Sequence, residues 1–402
     1  MTPTEPPPAQ AAPGGPLSGV RVLELGTYIA APYGCTLLAD QGARVIKVEP
    51  PEGDNLRRYP STLPAESRAF LGVNRGKQGI SLDLKSPGGR RVLARLIDDT
   101  DVLVHNFRPK VPPRLGIDYE TLRASHPRLI YCAVSGYGRS GPMRNTAGYD
   151  QVLQTMSGIC AMQGSAAEPQ IVYGSVVDYY TASMLAGAVA SALYQRERTG
   201  VGRYLDVSLL RSALAMQSSR LVWADGEARD VYRDMRSGGV TGLHPTRAGA
   251  LYLSANTPHF WAALCELVGL PALAQDPRYD SVRKRAEHAA EVVPLIRGAL
   301  RARTALEWER HFGERVPCAA SREVEDMFEH PQVLAEAMID RYEHPTAGAY
   351  RGLAGGYALE AGEAPAARAA APAFGEHSDA VLAEHGFGAD EIAALRASGA
   401  LK

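Results

Sequence analysis

Short apolar runs and longer amphipathic stretches alternate along the first half of the chain. Val20–Leu25 (VRVLEL) predicts a buried strand, Ala30–Asp40 a helix and Arg44–Val48 (RVIKV) a second strand. A Pro- and Gly-rich loop spans Pro50 to Gly79. Ile80–Leu84 predicts a third strand, and Gly88–Asp99 a helix with Val92, Leu93, Leu96 and Ile97 apolar. Val102–Val104 predicts a strand, Tyr119–Ser125 a short helix and Leu129–Val134 another strand. Strands alternating with helices predict an α/β fold, a parallel sheet covered on both faces.

Pro169–Val177 (PQIVYGSVV) is strand-like and leads into a helix over Asp178–Glu197. That helix carries Ala182, Ser183, Ala186, Gly187, Ala188, Ala190 and Ser191, small residues that predict close approach of its neighbours. Thr199–Gly202 ends it, with Gly200 suited to the left-handed cap. Tyr204–Leu209 is the next strand and Leu210–Trp223 the next helix. Beyond Asp225 the pattern changes. A polar stretch over 225–249 contains Gly238 and Gly239, and amphipathic helices follow at Phe260–Val268, Ala289–Leu300 and Thr304–Phe312. Thr304 and Glu307 form a capping signature. Two more helices are expected, at Asp379–His385 and Ala389–Ala397. The organisation expected is an arm without fixed structure at 1–16, a large α/β domain at 17–224, a smaller domain at 225–335 and a C-terminal segment at 336–402.

Composition narrows the function. Hydrophobic residues make up 45% of the 402 and charged residues 22%, ordinary for a globular protein. The net charge of −1 calls for neither nucleic acid nor an anionic membrane as partner. The first residues have neither a basic nor an apolar block, so no signal peptide is expected. No uninterrupted apolar run of about 20 residues occurs, and no spanning helix is expected. Cys35, Cys132, Cys160, Cys265 and Cys318 are odd in number and scattered. That argues against a disulfide framework or a zinc site and for the cytoplasm.

The strand–helix joint Leu25–Pro32 (LGTYIAAP) lacks GxGxxG, and no GxxxxGK[ST] loop occurs. A nicotinamide or ATP enzyme is thereby disfavoured. GxSxG and HExxH are absent too, which leaves serine hydrolysis and metal catalysis without support. What remains is polar groups at strand ends: Lys47 and Glu49 after the second strand, Asn74, Arg75 and Lys77 before the third, and His105, Asn106, Phe107 and Arg108 after the fourth. Ligands bind beyond the carboxyl ends of strands in open α/β sheets. Lys and Arg there can hold phosphates, and Phe107 can pack on a base or acyl chain. Asp178, at the start of the small-residue helix, suits an N-cap. The same geometry also allows a nucleophile, since carboxylates form covalent intermediates, though position alone favours the cap.

Taken in order, these blocks resemble the class III CoA-transferases. Val20–Glu49, Asn74–Lys77 with Ser81–Lys85, Asn106–Pro109, Leu115–Gly138, and Asp178–Leu209 with its Arg196–Gly202 (RERTGVG) turn carry the resemblance. It continues through His244–Cys318, including Val316-Pro317-Cys318. The resemblance implies a Rossmann-like large domain that binds CoA, a small α+β domain that closes over the site, and a C-terminal segment that returns to the large domain. It also implies an interlocked, ring-like homodimer. Asp178 falls on the family's nucleophile, and Lys77, Asn106, Phe107 and Arg108 on positions that line the CoA site. Acyl-CoA is the implied co-substrate, a free carboxylic acid the acceptor, and no metal is implied. Tyr28, Ile29, Tyr149, Tyr179, Tyr180 and the Gly238–Gly242 segment would shape the acceptor pocket.

Two departures bear on the activity. A racemase branch of the superfamily places His before an Asp about 30 positions ahead of the catalytic acid. Here the segment is Gly148-Tyr149-Asp150, and a phenol, with a reference pKa near 10, is a poor base at neutral pH. Transfer is therefore expected over α-racemisation or isomerisation. A CoA-binding protein without catalysis is the alternative of another class. The second departure is Val177, where many relatives carry Gly; it would tighten the pocket or reshape the turn.

Overall fold

The computed structural model describes residues 15–63, 65–165, 167–228, 239–356, 358 and 369–402. The chain forms two compact units, Met1–Ser218 with Ala335–Lys402, and Ser219–Leu334. Residues 1–14 of the expected arm lie outside the described residues. Gly15 and Pro16 belong to a turn in which the Ser18 N–H donates to the Gly15 carbonyl at 2.9 Å.

The first unit is built on β1 (Arg21–Leu25), β2 (Arg44–Glu49), β3 (Lys77–Ser81), β4 (Val102–His105), β5 (Ile130–Ser135) and β6 (Arg203–Ser208). Every neighbouring pair is parallel, in the order β3-β2-β1-β4-β5-β6. Successive strands go to one side of β1 and then, from β4, to the other. The switch point therefore lies between β1 and β4, where such sheets open a crevice at the carboxyl ends.

Helices cover both faces, as continuous apolar strands require. The helices used below are α1 (Ala30–Ala39), α2 (Pro87–Asp98), α3 (Asp150–Met156) and α4 (Val176–Thr199). On one face Leu38 of α1 and Leu185 and Val189 of α4 pack with Val45, Val104 and Cys132. On the other, Leu93 and Leu96 of α2 pack with Leu23, Ile46 and Leu103. Leu382 and Leu395, from the helices Ser378–Glu384 and Ala389–Ala397, join that second cluster. The small residues of α4 admit α1 closely: a Cβ on Gly34 would sit 2.9 Å from Leu185 Cδ2 and 3.2 Å from the Ala182 carbonyl oxygen. By length and composition alone α4 is apolar enough to cross a bilayer, a test that a core helix also meets. Its buried positions Val177, Leu185, Val189 and Leu193 pack in the first of these clusters.

Three elements differ from expectation. The third strand is Lys77–Ser81, three residues earlier, because Lys77-Gln78-Gly79 pairs with Val45-Ile46-Lys47. Lys77 thus opens a strand rather than preceding one. Pro169–Val177 forms no strand: the chain takes a left-handed turn at Gly174 and Ser175 (φ 109° and 56°), and the helix begins at Val176. Asp178 is consequently the third helical residue, not the cap. The helix expected over Leu210–Trp223 is Leu209–Ala215, followed by a 3₁₀ turn at Ser218–Arg220.

The second unit joins β7 (Gly242–Pro245), β8 (Ala250–Leu253) and β9 (Cys318–Ala320) antiparallel, an α+β arrangement with its helices. Its core holds Trp261, Tyr279, Ile296, Trp308 and Phe312. The capping box of Thr304 and Glu307 opens the helix Ala305–Phe312.

Candidate active site

The loops after β1, β4 and β5 and the starts of α3 and α4 enclose a cleft of about 340 Å³ at the switch point. Tyr28, Ile29, Asn106, Phe107, Arg108, Tyr149 and Asp178 all line it. The cleft therefore collects the residues singled out on four separate stretches of sequence.

Local contacts explain how each is held. Asn106 ties the two central loops together: its Oδ1 accepts the Thr27 N–H at 3.2 Å, and its Nδ2 donates to the Thr27 carbonyl at 2.8 Å. The next residue, Tyr28, has φ 66°, a left-handed conformation that a bulky side chain rarely adopts. Asp54 accepts its N–H at 3.2 Å. The Tyr28 ring meets the Tyr149 ring edge-on at 5.7 Å. Burial, followed by the neighbouring Tyr149, raises the Tyr28 phenol above its usual range. Arg108 and Arg144 are exposed at the cleft and supply its positive charge.

Asp178 is half-buried in this cleft and its carboxyl is pushed up to about 7, first by burial and second by the charge of Asp150. Asp150, the first residue of α3, is buried. Its Oδ2 accepts the N–H groups of Val177 at 2.7 Å and Asp178 at 3.0 Å. Its Oδ1 accepts from Gln154 Nε2. Gln154 in turn pairs with the backbone of Val172, donating to its carbonyl at 2.9 Å and accepting its N–H at 3.0 Å. The cap of α4 is thus supplied from 27 residues away. No sequence signature near Asp178 marks it, although the acidic residue beside Tyr149 was visible. Val177 is buried in the core and does not line the cleft.

Four expected cofactor ligands are placed elsewhere. Lys47, Asn74, Arg75 and Lys77 are buried and bonded to protein, outside the lining of the cleft. Lys47 Nζ lies 3.0 Å from Glu24 Oε1 and 3.0 Å from Asp54 Oδ2, and donates to the Gly26 carbonyl at 2.9 Å. Burial works against its positive charge, but Glu24, Asp54 and Glu49 outweigh burial, and its pKa rises. Lys77 Nζ pairs with Glu24 Oε2 at 2.7 Å and donates to Asn74 Oδ1 at 2.8 Å. There burial wins and the ammonium is held below its usual range. Arg75 pairs with Asp40 at 2.5 Å. Of the other expected acceptor-pocket residues, Tyr179 turns its ring edge-on to Tyr33, 4.9 Å away, and neither it nor Tyr180 lines the cleft. Gly239 belongs to the second unit, and Gly238 lies outside the described residues.

A second cleft of about 220 Å³ shares Phe107, Pro109, Val134 and Ser135 with the first. Its lining includes His105, Tyr119, Tyr131 and Tyr204, a set of rings in mutual contact, with the Arg139 guanidinium 4.7 Å from the Tyr204 ring centre. His105 Nδ1 accepts the Phe107 N–H at 3.2 Å, so Nε2 carries the proton toward Tyr131 Oη, 2.9 Å away. Burial pushes the His105 imidazole down to about 4. Among the described residues no group of three or more His, Cys, Asp or Glu is arranged to hold a metal ion.

A parallel sheet of this order, with a basic carboxylate at its switch point, defines an α/β enzyme that binds its ligand beyond the carboxyl ends of the strands. The sequence model of CoA-transferase family III matches residues 17–378, and the chain belongs to that family. It is an enzyme of the class III CoA-transferase type, with acyl-CoA as co-substrate. It is 34% identical over 361 residues to the acetyl-CoA:oxalate CoA-transferase of Acetobacter aceti, covering 84% of this chain and 88% of that protein. It is 32% identical over 340 residues to the succinyl-CoA:glutarate CoA-transferase of Mus musculus, covering 83% and 78%. Among solved structures, a CAIB/BAIF family protein from Brucella suis superposes with a TM-score of 0.80 at 29% identity, over 92% of this chain and 100% of that one.

Proposed function

We propose that the chain transfers CoA from an acyl-CoA donor to a free carboxylic acid, with Asp178 as the covalent nucleophile. The observation that carries this reading is the Asp178 carboxyl itself. It faces the switch-point cleft and its basicity is raised, while the neighbouring Asp150 carboxylate is already engaged by three N–H donors. A carboxylate held this way is a better nucleophile than an ordinary aspartate.

In the first step an Asp178 oxygen bonds to the thioester carbonyl carbon, the C–S bond breaks and the electron pair leaves as CoA thiolate. The thiolate then attacks Asp178 Cγ of the mixed anhydride and releases the donor acid. The acceptor carboxylate attacks the resulting aspartyl thioester, and the freed thiolate takes the acceptor's acyl group, regenerating Asp178. Water must be kept away, because anhydrides hydrolyse readily. Asn106, by pinning Thr27 and so the start of the Tyr28 loop, keeps the cleft preorganised for the attack.

Dicarboxylic acids are the first acceptors to try. The Acetobacter and mouse relatives are named for oxalate and glutarate, and Arg108 and Arg144 offer planar forks for a second carboxylate. We place two copies in an interlocked homodimer, for which Met184 and Tyr194, exposed along α4, offer apolar surface. The five unpaired cysteines favour a reducing compartment, the cytoplasm. The test is CoA exchange between succinyl-CoA and a panel of acids. Asp178→Ala should lose at least ~10³-fold in rate with unchanged circular dichroism, whereas near-normal turnover would overturn the assignment.

A further inference from the structure

The N-terminus of α4 ought to favour an ionised Asp178. A carboxylate in the first turn of a 24-residue helix lies at its positive end, beside N–H groups without helical partners. Asp150 removes that advantage. Its Oδ2 occupies the N–H of Val177 at 2.7 Å and that of Asp178 at 3.0 Å. The Tyr179 N–H donates to the Ser175 carbonyl at 3.1 Å. A full negative charge therefore sits at the helix end. The side chain holding it has no freedom to withdraw: it is buried, gripped by Gln154, and Gln154 is fixed by both polar groups of Val172.

From this geometry we infer that Asp150 is a positioning residue that activates Asp178 by making its charged state unfavourable, so that acylation relieves the repulsion. The inference rests on Asp178 being the nucleophile. When an Asp178 oxygen bonds to the acyl carbon, the negative charge departs with sulfur as the C–S bond breaks. The acylated Asp178 is neutral and no longer opposed by Asp150. The repulsion is felt in the free enzyme and not in the covalent intermediate, the condition for an interaction to accelerate this step. The other charged or titratable groups lining the cleft are Tyr28, Tyr59, Tyr149, Arg108 and Arg144. The two arginines act the opposite way to Asp150, and among the described residues no other acidic side chain lines the cleft.

The experiment compares wild-type and Asp150→Asn proteins in three readouts: the pH profile of kcat/KM, the titration of Asp178 Cγ in 13C-aspartate-labelled protein, and the rate of adduct formation at Asp178 with succinyl-CoA. In Asp150→Asn the acidic limb and the Cγ titration should both move down by about one pH unit, and the adduct should form roughly tenfold more slowly at pH 8. A folded Asp150→Asn protein with a slower rate but an unmoved limb and titration would reduce Asp150 to a structural cap and overturn the inference. If that variant does not fold, the wild-type titration decides. Asp178 should titrate near neutrality, and an Asp178 that stays ionised down to pH 5 contradicts it. Absence of any adduct at Asp178 in the wild-type protein is a different result, which removes the nucleophile assignment itself.

Discussion

Asp54 holds Tyr28 and Lys47 with one carboxylate: Oδ1 accepts the Tyr28 N–H at 3.2 Å and Oδ2 takes the Lys47 ammonium at 3.0 Å. A buried charge network thus reaches the one cleft residue whose backbone is in the left-handed region with a bulky side chain. Strain of this kind persists only where the surroundings impose it.

Breaking that network should be expensive. Lys47→Met leaves Glu24 and Asp54 as buried carboxylates facing no ammonium from β2. A loss of about 3–5 kcal/mol is expected from urea midpoints at constant m. Asp54→Asn keeps the Tyr28 contact but weakens the Lys47 pair, and should lose less.

Asn106→Ala removes both bonds to Thr27 without touching Asp178. The β1 loop then loses its tie to β4. We expect kcat/KM for acyl-CoA to fall roughly 10–100-fold, while the acidic limb of the pH profile stays in place. A shifted limb would mean that Asn106 acts on Asp178 directly.

The raised pKa of Asp178 has a consequence for stability. Its folded value, about 7, exceeds the ordinary 3.8, so the folded state binds this proton more tightly than the unfolded chain. The stability linked to the protonated form is complete below about pH 4 and is lost as the pH rises through 7. Ionised Asp178 is therefore destabilising at pH 8. Asp178→Asn should raise stability there by about 2 kcal/mol, discounted from ~1.4 kcal/mol per pKa unit because the carboxyl is partly solvated. At pH 4 the gain should nearly vanish. Thermal melts at the two pH values check both signs.

Catalysis should show the same group with the opposite benefit. Only the ionised carboxylate attacks, so kcat/KM should fall about tenfold per pH unit below pH 6, with an apparent pKa near 7. A flat profile down to pH 5 would contradict a raised pKa of Asp178 in the free enzyme.

Much of the sheet was legible because its strands are short apolar runs set between helical periods. Arg44–Glu49 and Val102–His105 lie within a residue or so of expectation. β3 was misplaced since Lys77-Gln78-Gly79 carries no apolar signal, its lysine being neutralised by Glu24 from a strand two positions away. The same cause hides the burial of Lys47 and Lys77: a lysine near a strand end looks solvated until its long-range partners are known. Ile171–Val177 is rich in β-branched residues, yet Gly174, Ser175 and the distant cap from Asp150 turn it into a helix start. Asp178 was legible through its sequence neighbourhood; the group that tunes it was not, because it arrives from another helix.

The central claim is that Asp178 forms a covalent bond to substrate. The direct measurement is intact mass spectrometry of the protein mixed with succinyl-CoA, followed by peptide mapping. A mass gain of CoA less water on the peptide containing Asp178, absent from Asp178→Asn, is the predicted result. Measurable CoA exchange with no adduct at Asp178, or with an adduct on another residue, would contradict it.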